Sequence, residues 1–184
     1  MVLSLAAIRT ERLVLPLWTA ADVAAIRAGS RTGFLGAWHP DFPRPDDVAA
    51  ASLWREGDPW GPRSIARGVT VLGSIGFFGP PEAGDGPAEV EVGYGLVREA
   101  WGWGFATEAL QGLLAELEPG IAVRASIRPE NAASLRVVAK CGFTRLRGTT
   151  EDGELVMVRP AGEAAGEAAG EIAGGGAGDR RPPA

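Results

Sequence analysis

Between Ala88 and Leu117 the chain sets groups that can move a proton beside groups that can bind an anion. Val90, Val92, Tyr94 and Leu96 alternate with Glu89, Glu91, Gly93 and Gly95. A period of two is a strand, so one face is apolar and the other carries two carboxylates and two bare backbone positions. Either carboxylate can accept a proton from an ammonium group, directly or through a water. Glycines within a strand mark a bulge or the close approach of another group to the backbone. The strand pattern runs into Trp101-Gly102-Trp103-Gly104-Phe105-Ala106, and Ala106, Ala109, Leu110, Leu113, Leu114 and Leu117 then recur at helical spacing. Thr107 and Glu108 fall in the first turn of that helix, whose free N–H groups favour anions. Glycines let the preceding turn bend tightly, and the helix start aims its N–H groups at phosphate oxygens.

Other chemistries for the glycine turn fail on the residues. A phosphate-binding Walker loop needs a lysine and a hydroxyl after its last glycine, and the one lysine of the chain is Lys140. A dinucleotide fingerprint needs three glycines, whereas Gly102-x-Gly104-x-x-Thr107 has two. A single cysteine, Cys141, rules out an internal disulfide, and with one histidine, His39, there is no set of soft ligands for zinc; the chemistry must be metal-free or use an oxygen-bound ion, and no metal is expected. Nothing in the sequence brings Cys141 and His39 together as nucleophile and base.

The segment Trp101-Gly102-Trp103-Gly104-Phe105-Ala106 resembles the (Gln/Arg)-x-x-Gly-x-(Gly/Ala) pyrophosphate motif of the GNAT superfamily of acetyl-CoA-dependent N-acyltransferases, with Trp101 in place of Gln or Arg. Pro129-Glu130-Asn131-Ala132-Ala133-Ser134, followed by Lys140-Cys141-Gly142-Phe143, is similar to a second block of that superfamily in the form carried by its RimJ/RimL-like branch. Thr10-Glu11-Arg12-Leu13 followed by Asp22 resembles that branch's start. The three blocks come in the family's order and span about residues 8 to 160.

The resemblance implies direct acetyl transfer from acetyl-CoA to a primary amine, either a protein N-terminus or a small molecule. It implies that the N–H groups of Gly102, Trp103, Gly104, Phe105, Ala106 and Thr107 hold the pyrophosphate, that Trp101 stands at the edge of that cradle, and that Leu96 and Val97 pair with the pantetheine arm. A strand N–H near Val92 or Gly93 would polarise the thioester carbonyl. Glu91, and after it Glu89, stands where the family often places its base. Many relatives carry a proton-donating tyrosine where this chain has Val138, so Ser134 becomes the candidate donor and Asn131 a contact to pantetheine. For Asn131 and Ser134, capping of a helix start is the competing explanation. Homodimers are common in the branch. The departures at Trp101 and Val138 also leave open an acyl-CoA-binding regulatory protein with reduced turnover.

The elements around this centre follow from pattern. Ile8 to Leu17 reads as a strand, and Thr19 caps a helix over Ala20 to Ala28 that stops at Gly29. A loop from Arg31 to Arg44 carries Phe34, Trp38, His39, Pro40, Phe42 and Pro43, and Asp46 opens a helix over Asp47 to Arg55. With Asp41, Asp46, Asp47, Glu56 and Asp58 nearby, this region suits a cationic amine, although aromatic core anchors and solvated acids explain the same residues. Arg63 to Arg67, Val69 to Phe78 and the central strand form an antiparallel meander. Ile121 to Ile127 is a buried strand, and Asn131 to Lys140 a helix with Leu135, Val138 and Ala139 inward. Phe143 to Arg147 and Leu155 to Arg159 are joined at Asp152-Gly153. The strand-helix-strand unit from Ala88 to Ile127 demands a parallel pair. The expected class is α/β: a mixed, mostly antiparallel sheet of about seven strands with one parallel pair and about four helices, as in the GNAT fold.

The chain has 184 residues, 46% hydrophobic and 22% charged, enough for one domain with a good core. That domain spans residues 1–160, and from Ala161 a low-complexity Ala/Gly/Glu tail follows, to residue 184, which lacks the apolar surface to stay ordered. A net charge of −5 argues against broad nucleic-acid binding. No apolar run approaches a membrane span and the N-terminus does not read as a signal peptide, so the cytoplasm is expected.

Overall fold

The computed structural model describes residues 3–30, 32–33, 36–84 and 86–162. Its centre is one mixed sheet of eight strands in the order β1-β2-β5-β6-β7-β8-β10-β9. In chain order these are β1 (Ile8–Arg9), β2 (Val14–Leu15), β5 (Arg63–Arg67), β6 (Thr70–Phe77), β7 (Glu89–Leu96), β8 (Ala122–Ile127), β9 (Arg145–Thr149) and β10 (Leu155–Arg159). A two-stranded ribbon, β3 (Thr32–Gly33) and β4 (Gly36–Ala37), stands apart. Among the described residues there are four α-helices, α1 (Ala20–Arg27), α2 (Pro45–Leu53), α3 (Phe105–Ala115) and α4 (Ala132–Lys140). The expected meander β5-β6-β7 is antiparallel, and the parallel pair is β7 with β8.

The differences from the sequence expectation have local causes. The first strand is not continuous: Thr10 N–H donates to Leu13 C=O at 3.0 Å, and Leu13 N–H to Thr10 Oγ1 at 3.1 Å. This polar turn folds β1 back on β2, giving eight strands rather than seven. Thr19 caps α1 as expected, in a reciprocal pair with Asp22. The second helix starts earlier than Asp46, with Arg44 as cap and Pro45 in the first turn, where proline's fixed φ and missing N–H cost nothing. In α4, Val138 is fully buried and Leu135 half-buried, but Ala139 is exposed. Ala139 lies about 100° around the helix from Val138, beyond the half-buried Leu135 on the same side, so it leaves the buried face. Phe143 belongs to the end of α4 rather than to β9. Its N–H donates to Val138 C=O at 3.1 Å and that of Gly142 to Ala139 C=O at 3.2 Å, with Gly142 at φ 87°. That double bond is the Schellman stop, and Lys140-Cys141-Gly142-Phe143 supplies it.

The core gathers Val90, Val92 and Leu96 of β7 with Phe105, Ala109, Leu110 and Leu113 of α3 and Val138 of α4. At about 1.5–3 kcal/mol per fully buried large side chain, this packing fixes α3 and α4 against the sheet. Phe34 and residues 163–184, which hold nearly all of the expected tail, lie outside the described residues. No helix among the described residues is long and apolar enough to cross a membrane.

Candidate active site

The parallel pairing of β7 with β8 extends over three residues, from Glu89↔Ala122 to Glu91↔Arg124. Beyond it β7 stays with β6 and β8 with β10, so the two strands splay. Phe78 N–H donates to Glu91 C=O at 3.0 Å and Val97 N–H to Leu72 C=O at 2.8 Å, which assigns the odd-numbered residues of β7 to the ladder with β6. The last parallel rung takes Val92 N–H toward Arg124. The backbone groups of Tyr94 and Leu96 therefore face the splay. This corrects the expectation that an N–H near Val92 or Gly93 is open: both are consumed by ladders, and Tyr94 N–H is the first one free of them. Leu96 keeps its N–H toward the splay, but its carbonyl accepts from the Trp101 indole N–H at 2.9 Å, and Val97 N–H is held by β6.

Immediately after β7, Gly102 and Gly104 take φ of 81° and 80°, the left-handed region where glycine meets no steric penalty. Gly104 caps α3, and Glu108 N–H, bonded to Gly104 C=O at 3.0 Å, is the first of the helix to reach a backbone acceptor. The N–H groups of Phe105, Ala106 and Thr107 thus belong to the open first turn, which suits phosphate oxygens. Trp101 and Trp103 flank the turn, both more than half exposed, and Arg98 stacks over Trp101 at 5.9 Å.

The turn is braced from outside by the start of the chain. Glu108 accepts from Thr10 Oγ1 at 2.6 Å, from Arg12 N–H at 2.7 Å and from Arg12 Nε at 2.6 Å. Arg12 Nη1 also donates to Trp103 C=O at 3.0 Å, and the guanidinium lies 4.7 Å over the Phe105 ring. Burial works against ionisation of Glu108, but these hydrogen bonds and the Arg12 charge outweigh it and hold the carboxyl below its ordinary range. The Thr10-Glu11-Arg12-Leu13 block is therefore a clamp on the glycine turn.

At the splay a groove of about 1210 Å³ reaches both faces of β7 and is lined by Arg44, Phe78, Glu91, Tyr94, Ser126 and Ser134, among others. Glu91 accepts from Ser126 Oγ at 2.7 Å and pairs with Arg124 Nη2 at 2.9 Å. Glu89 pairs with Arg147 at 2.7 Å and with Arg124 at 3.7 Å. Asn131 caps α4 by accepting from Ser134 N–H at 3.0 Å. Tyr94, whose hydroxyl the sequence did not single out, donates to Ser134 C=O at 3.3 Å. Burial, opposed in part by that bond, pushes the phenol up to about 12, so it stays protonated. Gly93 and Gly95 are bare because protein side chains occupy their faces: a Cβ at Gly93 would meet the Phe78 ring, and one at Gly95 the Arg44 guanidinium.

The aromatic loop divides. Trp38 and Phe42 are buried and pack edge to face at 5.0 Å, as core anchors. His39 Nε2 lies 2.9 Å from Glu99, and its Nδ1 accepts Asp41 N–H. Cys141 sits by Thr107 C=O, its thiol pushed up to about 11 by burial, so His39 and Cys141 are apart. Asp46 and Asp58 line the groove, while Asp41 and Glu56 are exposed on the surface. Among the described residues no group of His, Cys, Asp and Glu has the arrangement of a metal site.

No curated protein matches the sequence. The structure is similar to a GNAT-family acetyltransferase described as putative from Bordetella pertussis, at 24% identity over 83% of this chain and 98% of that one, with a TM-score of 0.56. It is similar to RimJ of Mycobacterium smegmatis in complex with CoA-disulfide, at 20% identity over 85% and 88%, TM-score 0.57. It also resembles the ribosomal-protein-S5-alanine acetyltransferase of Vibrio fischeri, at 15% identity over 86% and 98%, TM-score 0.58. These likenesses establish a shared fold. Residues 12–144 match the acetyltransferase (GNAT) domain, from the Arg12 clamp through the glycine turn to the stop of α4. With most of its length inside that match, the chain belongs to the GNAT acetyltransferase family and is an acyltransferase.

Proposed function

We propose that this enzyme transfers an acetyl group from acetyl-CoA directly to a primary amine, without a covalent enzyme intermediate. The observation that carries the reading is the open first turn of α3, preceded by two left-handed glycines and set at the end of a strand that splays from its neighbour. The N–H groups from Gly102 to Thr107 would hold the pyrophosphate, and the backbone groups of Tyr94 with the N–H of Leu96 would receive the pantetheine arm. Acetyl-CoA supplies the activated acyl group: the C–N bond forms as the C–S bond breaks, and the sulfur leaves needing a proton. Tyr94 N–H is the donor placed to polarise the carbonyl. The neutral Tyr94 hydroxyl, beside Ser134, would protonate the leaving sulfur, with Ser134 Oγ the alternative. Glu91 is the proton acceptor for the amine. One donor engages each of its oxygens, which leaves a lone pair on each.

The Thr10 and Asn131 blocks, together with one solved neighbour named RimJ and another named as a ribosomal-protein-S5-alanine acetyltransferase, support kinship with the RimJ/RimL-like branch and hence a protein N-terminus as acceptor. A small-molecule amine is the competing acceptor class. Calorimetric titration with acetyl-CoA, followed by a thiol-release assay against peptides and small amines, tests the reading. Binding with acceptor-dependent release is expected. Binding without release from any acceptor would favour a regulatory acyl-CoA binder, and no binding would overturn the site.

A further inference from the structure

Asp47 is fully buried at the side of the groove, and a carboxylate there must be paired and hydrogen-bonded to be tolerated. It is. Its oxygens accept from the Arg44 backbone N–H at 2.7 Å, from Arg44 Nε at 2.9 Å, from Arg44 Nη2 at 2.8 Å and from the Ser74 hydroxyl. The carboxylate thus grips the guanidinium side-on, through Nε and Nη2. A guanidinium has five N–H donors in a rigid fork, so the end-on edge, both hydrogens of Nη1 and the second of Nη2, remains outside this pair.

That edge lies at a defined place. The guanidinium rests against the backbone of Gly95, where an added Cβ would come within 2.5 Å of Arg44 Cζ. Gly95 is one residue along β7 from Tyr94, the first backbone N–H open to the splay, and a strand rises only about 3.3 Å per residue. Neutralising Asp47 does not by itself require a bare position on β7. What the bare position does is let the fork lie flush with the strand beside the reacting centre. An amine attacking there carries the substituents of its own α-carbon into the reach of Arg44. Parallel N–H donors suit an oxygen, and the neighbouring Asp47 tempers the charge without removing the donors.

We infer that Arg44 is a specificity-determining residue that takes the carbonyl or carboxylate oxygen of an α-amino carbonyl acceptor, one whose amine and carbonyl share the same carbon, whether a free amino acid or the first residue of a peptide. Asp47 and Ser74 are positioning residues that hold the fork, and Gly95 is the space it occupies. The inference rests on the acetyl transfer proposed above and narrows its acceptor.

The test compares four acceptors by thiol release: isopropylamine, which lacks the carbonyl, alaninamide, alanine and a short peptide beginning with alanine. Native enzyme is expected to prefer alaninamide to isopropylamine. In Arg44→Lys, which keeps a charge opposite Asp47 but loses the fork, the alaninamide-to-isopropylamine ratio of kcat/KM falls about 10- to 100-fold, the loss of one charge-assisted hydrogen bond, and it falls through KM. Gly95→Ala, which keeps Arg44 and displaces it, gives the same fall. Calorimetric affinity for acetyl-CoA stays within about twofold in both variants, which confirms the fold. Alanine against alaninamide and the peptide tells a free carboxylate from a peptide carbonyl. No native preference, or an equal loss for both amines in the variants, overturns the role of Arg44 and leaves acetyl transfer standing. No release with any of the four amines overturns the reaction itself and this assignment with it.

Discussion

Replacing Tyr94 by Phe removes one hydroxyl and keeps the half-buried ring that packs against the core. The bond lost, to Ser134 C=O at 3.3 Å, is long, so the stability cost is about 0.5–1 kcal/mol, or roughly 1–4 °C in Tm for a domain of this size. The kinetic cost is larger. A positioned general acid contributes about 10²–10⁴-fold. A thiol of pKa about 8.5 is a tolerable leaving group, which puts the expected loss in kcat near 10²-fold at pH 7, with acetyl-CoA affinity unchanged. The pH dependence identifies the cause. Because burial holds the native phenol up to about 12, it remains an acid across the working range, and the gap between native and variant enzyme is widest below about pH 8. It narrows above the thiol's own pKa, where the thiolate leaves without help. The linkage sign agrees: a folded value raised above about 10 stabilises the native state fully below that pH, and the stabilisation is lost as pH rises toward 12. Stopped assays of thiol release from pH 6 to 10, beside thermal melts, give both quantities. Equal kcat at pH 7, or a loss independent of pH, would refute the proton-donor role of Tyr94.

Four other outcomes are expected. Glu108→Gln weakens the clamp on the glycine turn and lowers stability by about 1.5–3 kcal/mol, measured by denaturant titration. Since the folded carboxyl is held below its ordinary range, the difference from native protein is full above about pH 5 and shrinks as pH falls through the folded value. Gly104→Ala forces a side chain into φ 80°, at about 1–2 kcal/mol, and should weaken acetyl-CoA binding in calorimetry about tenfold or more, whereas an equal change at Gly120, at φ 93° after the far end of α3, should not. Cys141, buried and pushed up to about 11, should react with iodoacetamide at pH 8 far more slowly than a free thiol, with unfolding restoring the rate. Glu91→Gln should lower kcat most at low pH, where the amine is protonated, and unchanged turnover across pH would remove Glu91 as proton acceptor.

Where two periodicities meet without interruption, the sequence was sufficient: β7 and α3 lie where the alternation of Glu89 to Leu96 and the helical spacing of Ala109 to Leu114 put them. It failed where a polar residue did an unexpected local task. Arg44 is not among the usual cap residues, and its capping role depends on Asp47 three positions on, so the start of α2 was displaced to Asp46. The same two residues explain Gly95. Strand glycines correctly signalled a close approach on that face, but a period of two cannot say whether a ligand or a side chain makes it, and here Arg44 does. Contacts distant in sequence were equally illegible, because no local rule joins Thr10 to Glu108 across 98 positions. The family blocks themselves change meaning once these contacts are known. Thr10 and Arg12 clamp the turn, Lys140 to Phe143 stops a helix, and Asn131 caps one. Each shapes the scaffold, while the groups left for the cofactor are largely backbone N–H groups, which nearly every residue type carries. That is why Trp101 can replace Gln or Arg: its indole ties down Leu96 C=O at the mouth of the splay, and the cradle beside it needs only the two glycine turns to stay open.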